Sequence, residues 1–140
     1  MQVESIMTEQ VHTVAQSITL GELRKIFSQV NYHHLLVVEN GQLLGVISDR
    51  DVLRMSSPYL DITGEDKAPL SAEDQELLDQ TADSFMSKNL VTVLPDTLID
   101  AAAILLLEHN ISCLPILSED DEVKGILTWK DMLKYYVYVR

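Results

Sequence analysis

The spacing of apolar residues divides the first 55 positions into short strands and helices. Apolar and polar residues alternate over residues 11–14, as in a strand, whereas residues 20–30 show helical spacing after Thr19 or Ser17, either of which can cap a helix. Asn40-Gly41 separates two apolar runs and is a strong hairpin signal. The predicted elements are a strand over 11–14, a helix over 20–30, strands over 35–38 and 43–47, and a helix over 51–55.

The same order of elements begins again at Ala82. With an offset of 79 positions (92 minus 13), Thr13-Val14 falls on Thr92-Val93. The offset becomes 80 after the turn at residues 118–122, which is one residue longer than its counterpart, a change that a surface turn tolerates. The sequence therefore predicts two copies of a strand-helix-strand-strand-helix unit, and copies this short should pack against each other to bury their sheets.

One seven-residue pattern occurs at the end of both copies. It is glycine, two apolar residues, a hydroxyl, two variable residues and a carboxylate, from Gly45 to Asp51 and again from Gly125 to Asp131. The glycine suits a turn entering a strand, and a Ser or Thr three residues before an Asp is close to a capping box at a helix start. Capping explains part of the pattern but not its recurrence.

The segment between the copies is acidic. Between Ser56 and Ser84 there are eight acids and one base, which supply −7 of the net charge of −12. Pro58, Gly64 and Pro69 indicate a loop, and Ser71 with Asp74 predicts the start of a short helix. We therefore predict a first repeat at 1–55, an acidic linker with a short helix at 56–81, and a second repeat with an aromatic tail at 82–140.

Composition restricts the class of protein. A net charge of −12 argues against nucleic-acid binding, and the longest apolar run, residues 98–107, is far shorter than the roughly 20 residues of a membrane-spanning helix. The single cysteine, Cys113, excludes an internal disulfide, and the start does not resemble a secretory signal. These features predict a cytoplasmic protein without nucleic-acid or membrane partners.

The two ordered copies resemble a tandem pair of CBS (cystathionine-beta-synthase) domains, also called a Bateman module. Each copy opens with Ile6-Met7-Thr8 or Phe85-Met86-Ser87 and ends in the seven-residue pattern. The resemblance implies an α/β (α+β) fold in which the repeats pack as a pseudo-two-fold pair, with small mixed sheets covered by helices. It also implies a homodimer. The sequence has no phosphate-cradling glycine-rich loop and no serine elbow, so we expect that the chain is not an enzyme. Such a module binds AMP, ADP, ATP or S-adenosylmethionine in clefts between the repeats and regulates a partner protein, here unknown.

The resemblance assigns ligand-binding residues in each repeat. In the first, Ser48 and Asp51 would hold ribose, and Arg50 with His33 or His34 would meet phosphate. In the second, Thr128 and Asp131 would hold ribose, and Lys130 would meet phosphate. The residues implied around the base are Val11, His12, Thr13 and Tyr32 in the first repeat, and Leu90, Val91, Thr92, Ser112, Cys113 and Leu114 in the second.

One departure from the family is visible before the second strand. The family's Leu-Pro is present as Leu114-Pro115 but is Leu35-Leu36 in the first repeat. This difference concerns the shape of the first adenine pocket and not its ribose contacts.

Other interpretations of these residues stay open. Ser48 and Thr128 can simply cap helices, which would leave a structural dimerisation module with vestigial sites, and weak nucleotide hydrolysis is a third alternative. His33 and His34 are adjacent on a strand, point to opposite faces and do not indicate a metal site. The apolar segment at 101–107 predicts a helix buried against the other half or a second subunit. Trp129 can cover a ligand or fill an interface, and the interface is the favoured alternative. The aromatic residues Tyr135, Tyr136 and Tyr138 are expected to finish the last helix and to suit a dimer contact.

Overall fold

The computed structural model describes residues 1–56 and 71–139, so the predicted loop at Pro58, Gly64 and Pro69 lies outside the described residues. The fold is mixed α/β, as predicted. Within these ranges, no helix is long and apolar enough to cross a membrane. The elements are β1 (Thr13–Val14), α1 (Leu20–Gln29), β2 (His34–Glu39), β3 (Gln42–Ser48), α2 (Asp49–Ser56), α3 (Ala72–Leu78), α4 (Ile99–Glu108), β4 (Cys113–Leu117), β5 (Val123–Thr128) and α5 (Trp129–Lys134), with 3₁₀ turns at Val3–Ser5 and Ala82–Ser84 and a π turn at Tyr135–Val139.

Most element boundaries follow the predicted pattern. Thr19 caps α1 by accepting the backbone N–H of Glu22 at 3.2 Å, and Ser71 caps α3 in the same way through Asp74 at 3.1 Å. The first strand is shorter than predicted because only Thr13–Val14 pairs with a neighbour. The helix predicted at 51–55 begins two residues earlier, at Asp49.

The tyrosines finish the last helix, as predicted. They continue directly from Lys134 of α5, but in the π turn at Tyr135–Val139 and not as further α-helix.

The strands form one three-stranded sheet, in the order β1-β2-β3, and one antiparallel pair, β4-β5. β1 runs parallel to β2 and places Val14 opposite Val37. At the equivalent positions of the second repeat, Val93 makes a parallel bridge to Ile116. Both offsets are 79 positions, so the two repeats share one strand register.

The described chain divides into two compact units. One contains residues 1–12, 40–43 and 89–140, and the other contains residues 13–39 and 44–88. The predicted repeat boundaries therefore stay a prediction, because the units combine parts of both repeats. The core of the unit with 89–140 is formed by Val3, Val93, Ile99, Ala102, Leu106, Leu114, Ile116, Leu127 and Met132; the core of the other is formed by Leu20, Leu23, Leu35, Val37, Ile47, Val52, Ala82 and Met86.

The opening segment of each repeat packs against the body of the other repeat. Thr8 and Ile126 exchange two backbone hydrogen bonds of 2.9 Å each. Ser87 and Val46 exchange the equivalent pair at 3.0 and 3.1 Å. Each compact unit is therefore completed by a segment that belongs, in sequence, to the other repeat.

The two pattern glycines are explained by this exchange. The prediction that they make turns is wrong, because Gly45 lies within β3 and Gly125 within β5. A Cβ on Gly45 would lie 2.6 Å from Sδ of Met86 and 2.9 Å from a backbone oxygen, and a Cβ on Gly125 would lie 2.7 Å from Sδ of Met7 and 2.8 Å from a backbone oxygen. Glycine is needed because the exchanged segment crosses the strand at contact distance.

Candidate functional site

The first hydroxyl and carboxylate lie where β3 ends and α2 begins. The Ser48 backbone N–H donates to Oδ2 of Asp51 at 3.0 Å, and the Asp51 N–H donates to Oγ of Ser48 at 3.1 Å. These reciprocal bonds satisfy two donors at the start of α2 and form a capping box. Asp51 therefore falls in the first turn of the helix, as predicted.

The second pair repeats this geometry between β5 and α5. The Thr128 N–H donates to Oδ2 of Asp131 at 3.0 Å, and the Asp131 N–H donates to Oγ1 of Thr128 at 3.4 Å. The Thr128 hydroxyl also donates to Oδ2 at 3.1 Å. Among the described residues, Oδ1 of Asp131 has no hydrogen bond or ion pair, so it remains able to accept from a ligand hydroxyl.

Each box is joined to the segment before the neighbouring strand by one equivalent hydrogen bond. The Asp49 N–H donates to the carbonyl of His33 at 3.0 Å. The Trp129 N–H donates to the carbonyl of Ser112 at 3.3 Å. The structure therefore brings the predicted phosphate and base residues at 33 and 112 beside the predicted ribose residues of the same repeat.

The side chains around the first box are ionisable. Nδ1 of His33 lies 2.7 Å from Oδ2 of Asp49, and a guanidinium nitrogen of Arg54 lies 3.6 Å from Oδ1 of Asp51. Arg50 is exposed beside them. These groups can meet a ligand that carries negative charge close to its sugar.

His34 lies half-buried next to this group. Burial lowers the pKa of His34 below its ordinary value, and the neighbouring His33 and Arg50 lower it further. Asp49 and Asp51 act in the opposite direction but do not cancel the effect of burial. A lowered pKa leaves His34 mainly neutral at pH 7, so this side chain adds no positive charge beside the first box.

The remaining residues predicted for the first repeat differ in exposure. Tyr32 is exposed, and Thr13 is exposed in β1 opposite Leu36. Val11 and His12 are half-buried immediately before β1 and belong to the other compact unit. The structure therefore brings together Tyr32, His33, His34, Ser48, Arg50 and Asp51 in one unit.

The residues predicted for the second repeat all lie in one compact unit. Leu90 and Val91 are half-buried and Thr92 is exposed, all before the bridge of Val93. Cys113 is buried and Leu114 is completely buried in the core, so Leu114 can meet a ligand only through its backbone. Ser112 and Lys130 are exposed.

Three groups near the boxes were not among the predicted site residues. Arg54 pairs with Asp51, and its position three residues later on a helix is a sequence signal for such a pair. Asp49 pairs with His33 across 16 positions, and Nε1 of Trp129 donates to the carbonyl of Ile111 at 3.0 Å. No local pattern predicts these two contacts, because both depend on the strand arrangement.

Comparison with solved structures supports the fold. A CBS domain pair crystallised in complex with 5′-methylthioadenosine and S-adenosyl-L-methionine is 25% identical to the chain, with a TM-score of 0.74. The match covers 97% of this chain and 95% of that one.

Two related proteins differ in the fraction of their own length that this chain matches. A CBS domain-containing protein of Dictyostelium discoideum is 30% identical over 139 residues, which are 98% of this chain and 92% of that protein. A homoserine O-acetyltransferase of Methanococcus vannielii is 29% identical over 127 residues, which are 90% of this chain but 23% of the enzyme. The chain thus spans less than a quarter of the length of that enzyme.

The family model gives the same result independently. The CBS domain model matches residues 3–57 and again residues 82–138. These two matches cover most of the chain. The chain belongs to the CBS domain family, with two CBS domains in tandem.

Proposed function

We propose that the protein is a regulatory module that binds an adenosine-containing ligand and acts on a partner protein. The ligand is AMP, ADP, ATP or S-adenosylmethionine, and the module works as a homodimer without catalysing a reaction. Its repeats at 1–55 and 82–140 are joined by the acidic linker at 56–81. A ligand that binds one conformation better than another shifts the population toward that conformation by its differential affinity.

The observation that carries this proposal is the pair of equivalent hydroxyl-carboxylate boxes. Each box uses Oδ2 of its aspartate to cap a helix, and Oδ1 of Asp131 stays available. A carboxylate oxygen can accept from the vicinal hydroxyls of ribose, while the Thr128 or Ser48 hydroxyl still has capacity for one further bond. The CBS domain pair solved with S-adenosyl-L-methionine and 5′-methylthioadenosine supports a ligand of this class.

The other ligand contacts follow from the residues beside each box. Arg50 with His33 or His34 is proposed to meet the phosphate or other polar end of the ligand in the first repeat, and Lys130 does so in the second. The base is proposed to lie against residues that offer backbone groups and apolar surface without charge. These residues are Val11, His12, Thr13 and Tyr32 for the first repeat, and Leu90, Val91, Thr92, Ser112, Cys113 and Leu114 for the second.

Calorimetry on the wild-type chain with AMP, ADP, ATP, S-adenosylmethionine and 5′-methylthioadenosine tests the proposal. Asp51→Asn and Asp131→Asn, made separately, keep an oxygen that can accept the capping N–H but weaken acceptance from two ribose hydroxyls. We expect each variant to lose binding at its own repeat by at least 10-fold, which corresponds to about 1.4 kcal/mol. Unchanged affinity in the double variant would remove the ribose assignment.

A structural dimerisation module is the second candidate. It is favoured by one observation: both boxes already have a complete capping role, so their sequence needs no ligand to explain it. A folded, dimeric chain that binds none of the five adenosyl compounds would support this candidate over the first.

A further inference from the structure

The residue that follows each box hydroxyl joins its box to the segment before the neighbouring strand. In the first repeat this residue is Asp49, whose N–H donates to the carbonyl of His33 at 3.0 Å and whose Oδ2 lies 2.7 Å from Nδ1 of His33. In the second repeat it is Trp129, whose N–H donates to the carbonyl of Ser112 at 3.3 Å and whose Nε1 donates to the carbonyl of Ile111 at 3.0 Å. We call the side-chain bond of Asp49 the first link and that of Trp129 the second link.

The two links occupy the same place in the repeat but have different chemistry. Asp49 and His33 lie one residue beyond the ends of β3 and β2. Trp129 and Ser112 lie one residue beyond the ends of β5 and β4. The carboxylate of Asp49 accepts a hydrogen bond, whereas the indole of Trp129 donates one. The two repeats therefore share the connection and not the side chain that makes it.

Core packing does not explain either link. The backbone N–H groups of Asp49 and Trp129 already close the ends of the two strand pairs. The side chains of His33 and Asp49 are 68% and 44% exposed, and Trp129 is 46% exposed, so neither link belongs to a buried core. Exposed contacts of this kind add little to folding stability. The links therefore call for an explanation outside the core.

Each link connects two segments to which the proposed function assigns different parts of one ligand. The ribose contacts are proposed at Asp51 and Asp131, two residues after Asp49 and Trp129. Phosphate and base contacts are proposed in the segments before β2 and β4. A ligand that spans both segments binds more tightly when their separation is fixed before it arrives, because less conformational freedom is lost on binding.

The first link also determines which nitrogen of His33 is available to a ligand. An ionised carboxylate can only accept, so Nδ1 of His33 carries the proton that Oδ2 of Asp49 receives. Within the part of the chain that the structure describes, Nε2 of His33 has no hydrogen bond or ion pair. Nε2 is therefore the nitrogen offered to a ligand, on a ring that Asp49 orients.

We propose that Asp49 and Trp129 are positioning residues of the two ligand sites. Asp49 orients His33 beside the first box, and Trp129 holds the segment of Ile111 and Ser112 beside the second. Each acts through the segment before the neighbouring strand and thereby pre-organises its site. This inference rests on the proposed function and adds to it the residues that fix the geometry of each site.

Calorimetry of the full chain with AMP and 5′-methylthioadenosine tests the first link. An Asp131→Asn background confines binding to the first repeat. There we expect Asp49→Ala to weaken binding about 3- to 10-fold, as for the loss of one hydrogen bond, and Asp49→Asn, which keeps an accepting oxygen, to restore most of it. In a His33→Ala background Asp49→Ala should have no further effect, because Asp49 acts through His33. An equal loss in both backgrounds would overturn the positioning role of Asp49.

The second link is tested in an Asp51→Asn background, which confines binding to the second repeat. Trp129→Phe keeps an aromatic ring and removes the N–H that makes the link. We expect it to weaken binding of 5′-methylthioadenosine about 3- to 10-fold there and to leave binding in the Asp131→Asn background unchanged. Trp129 is the only tryptophan, so its emission should change when the second repeat is occupied. Unchanged affinity in Trp129→Phe would overturn the positioning role of Trp129.

Three outcomes separate this inference from the proposed function. A wild type that binds adenosyl compounds no better than Asp49→Ala and Trp129→Phe would overturn the positioning roles and leave the proposed function standing. A wild type that binds none of the compounds would overturn both. A fall in thermal stability that parallels the fall in affinity, and that Asp49→Asn does not restore, would make the first link purely structural and overturn its positioning role.

Discussion

The two capping boxes have the same backbone geometry but different surroundings. In both repeats the hydroxyl, the carboxylate and the following N–H make equivalent hydrogen bonds. The first box is flanked by His33 paired with Asp49, whereas the second has Ser112 and Trp129 at those places. The shared backbone maintains the turn from strand to helix. Under the proposed function, the differing side chains would make the two repeats prefer different ligands.

Replacing the two pattern glycines should have the largest effect on stability, and comparing the two variants tests how alike the two units are. Gly45→Ala and Gly125→Ala each force a methyl group to within 3 Å of a backbone oxygen of the exchanged segment. We expect each to lower the free energy of unfolding by about 1–3 kcal/mol or more, measured by urea denaturation.

Gly41→Asn is the control for the glycine variants. Gly41 has a φ of 78°, a Cβ added there would have no atom within 4 Å, and Asn tolerates this backbone region. Its cost should stay below about 1 kcal/mol. Equal stability of Gly125→Ala and the wild type would contradict the close packing of the exchanged segment.

Removing the helix-capping hydroxyls should have the next largest effect on stability. Ser48→Ala and Thr128→Ala each remove the oxygen that accepts the third N–H of a helix, and each should cost about 0.5–2 kcal/mol of unfolding free energy. Thermal unfolding followed by circular dichroism measures both. Thr128→Ser keeps the hydroxyl and should recover most of the loss, and failure to do so would mean that the methyl group and not the cap stabilises the turn.

Changing pH should separate the two repeats. The pKa of His34 is lowered by burial, so the unfolded chain binds more protons than the folded chain between the folded and unfolded pKa values. The free energy of unfolding therefore keeps its full value at pH 7.5 and decreases as the pH falls below about 6.5. The slope that His34 contributes is no steeper than about 1.4 kcal/mol per pH unit.

The second repeat has Cys113 at the place of His34 and lacks this contribution. Urea unfolding at several pH values, compared between wild type and His34→Gln, isolates the histidine. We expect the free energy of unfolding of His34→Gln to decrease less than that of the wild type as the pH falls. An identical pH profile in both proteins would show that His34 titrates alike in the folded and unfolded chain.

The smallest effect concerns the exposed ion pair of the first box. Arg54 and Asp51 are 3.6 Å apart, and the Arg54 side chain is 71% exposed, so Arg54→Ala should change stability by less than about 0.5 kcal/mol. Its effect on the affinity for a phosphorylated ligand should be larger than its effect on stability. The matched variant Lys134→Ala in the second repeat, measured by the same calorimetry, shows whether this preference belongs to the first repeat.

Local patterns in the sequence were sufficient for the helices, the hairpin and both capping boxes. Each depends on residues within four positions of one another, as with Thr19 and Glu22 or Thr128 and Asp131. The recurrence of two motifs in the same order was sufficient to identify the family. These features could be predicted because their hydrogen bonds close over short stretches of chain.

The features that were missed depend on distant segments. Gly45 looked like a turn residue because its contact, Met86, lies 41 positions later (86 minus 45) in the other repeat. The pairing of His33 with Asp49 depends in the same way on how β2 and β3 are placed. Apolar spacing also cannot identify which side of an apolar helix is buried in its own chain, since Ile104 and Leu107 on α4 are exposed.

The exchange of opening segments bears on how such a chain could arise by duplication. A protein with a single repeat would have a strand with an uncovered glycine. It would also have an opening segment whose methionine fits over the same glycine in a second copy. Two identical chains could cover both strands only by exchanging their opening segments, as in a domain-swapped pair. Fusing the two genes would convert that exchange between chains into the exchange within one chain seen at Met7 and Met86.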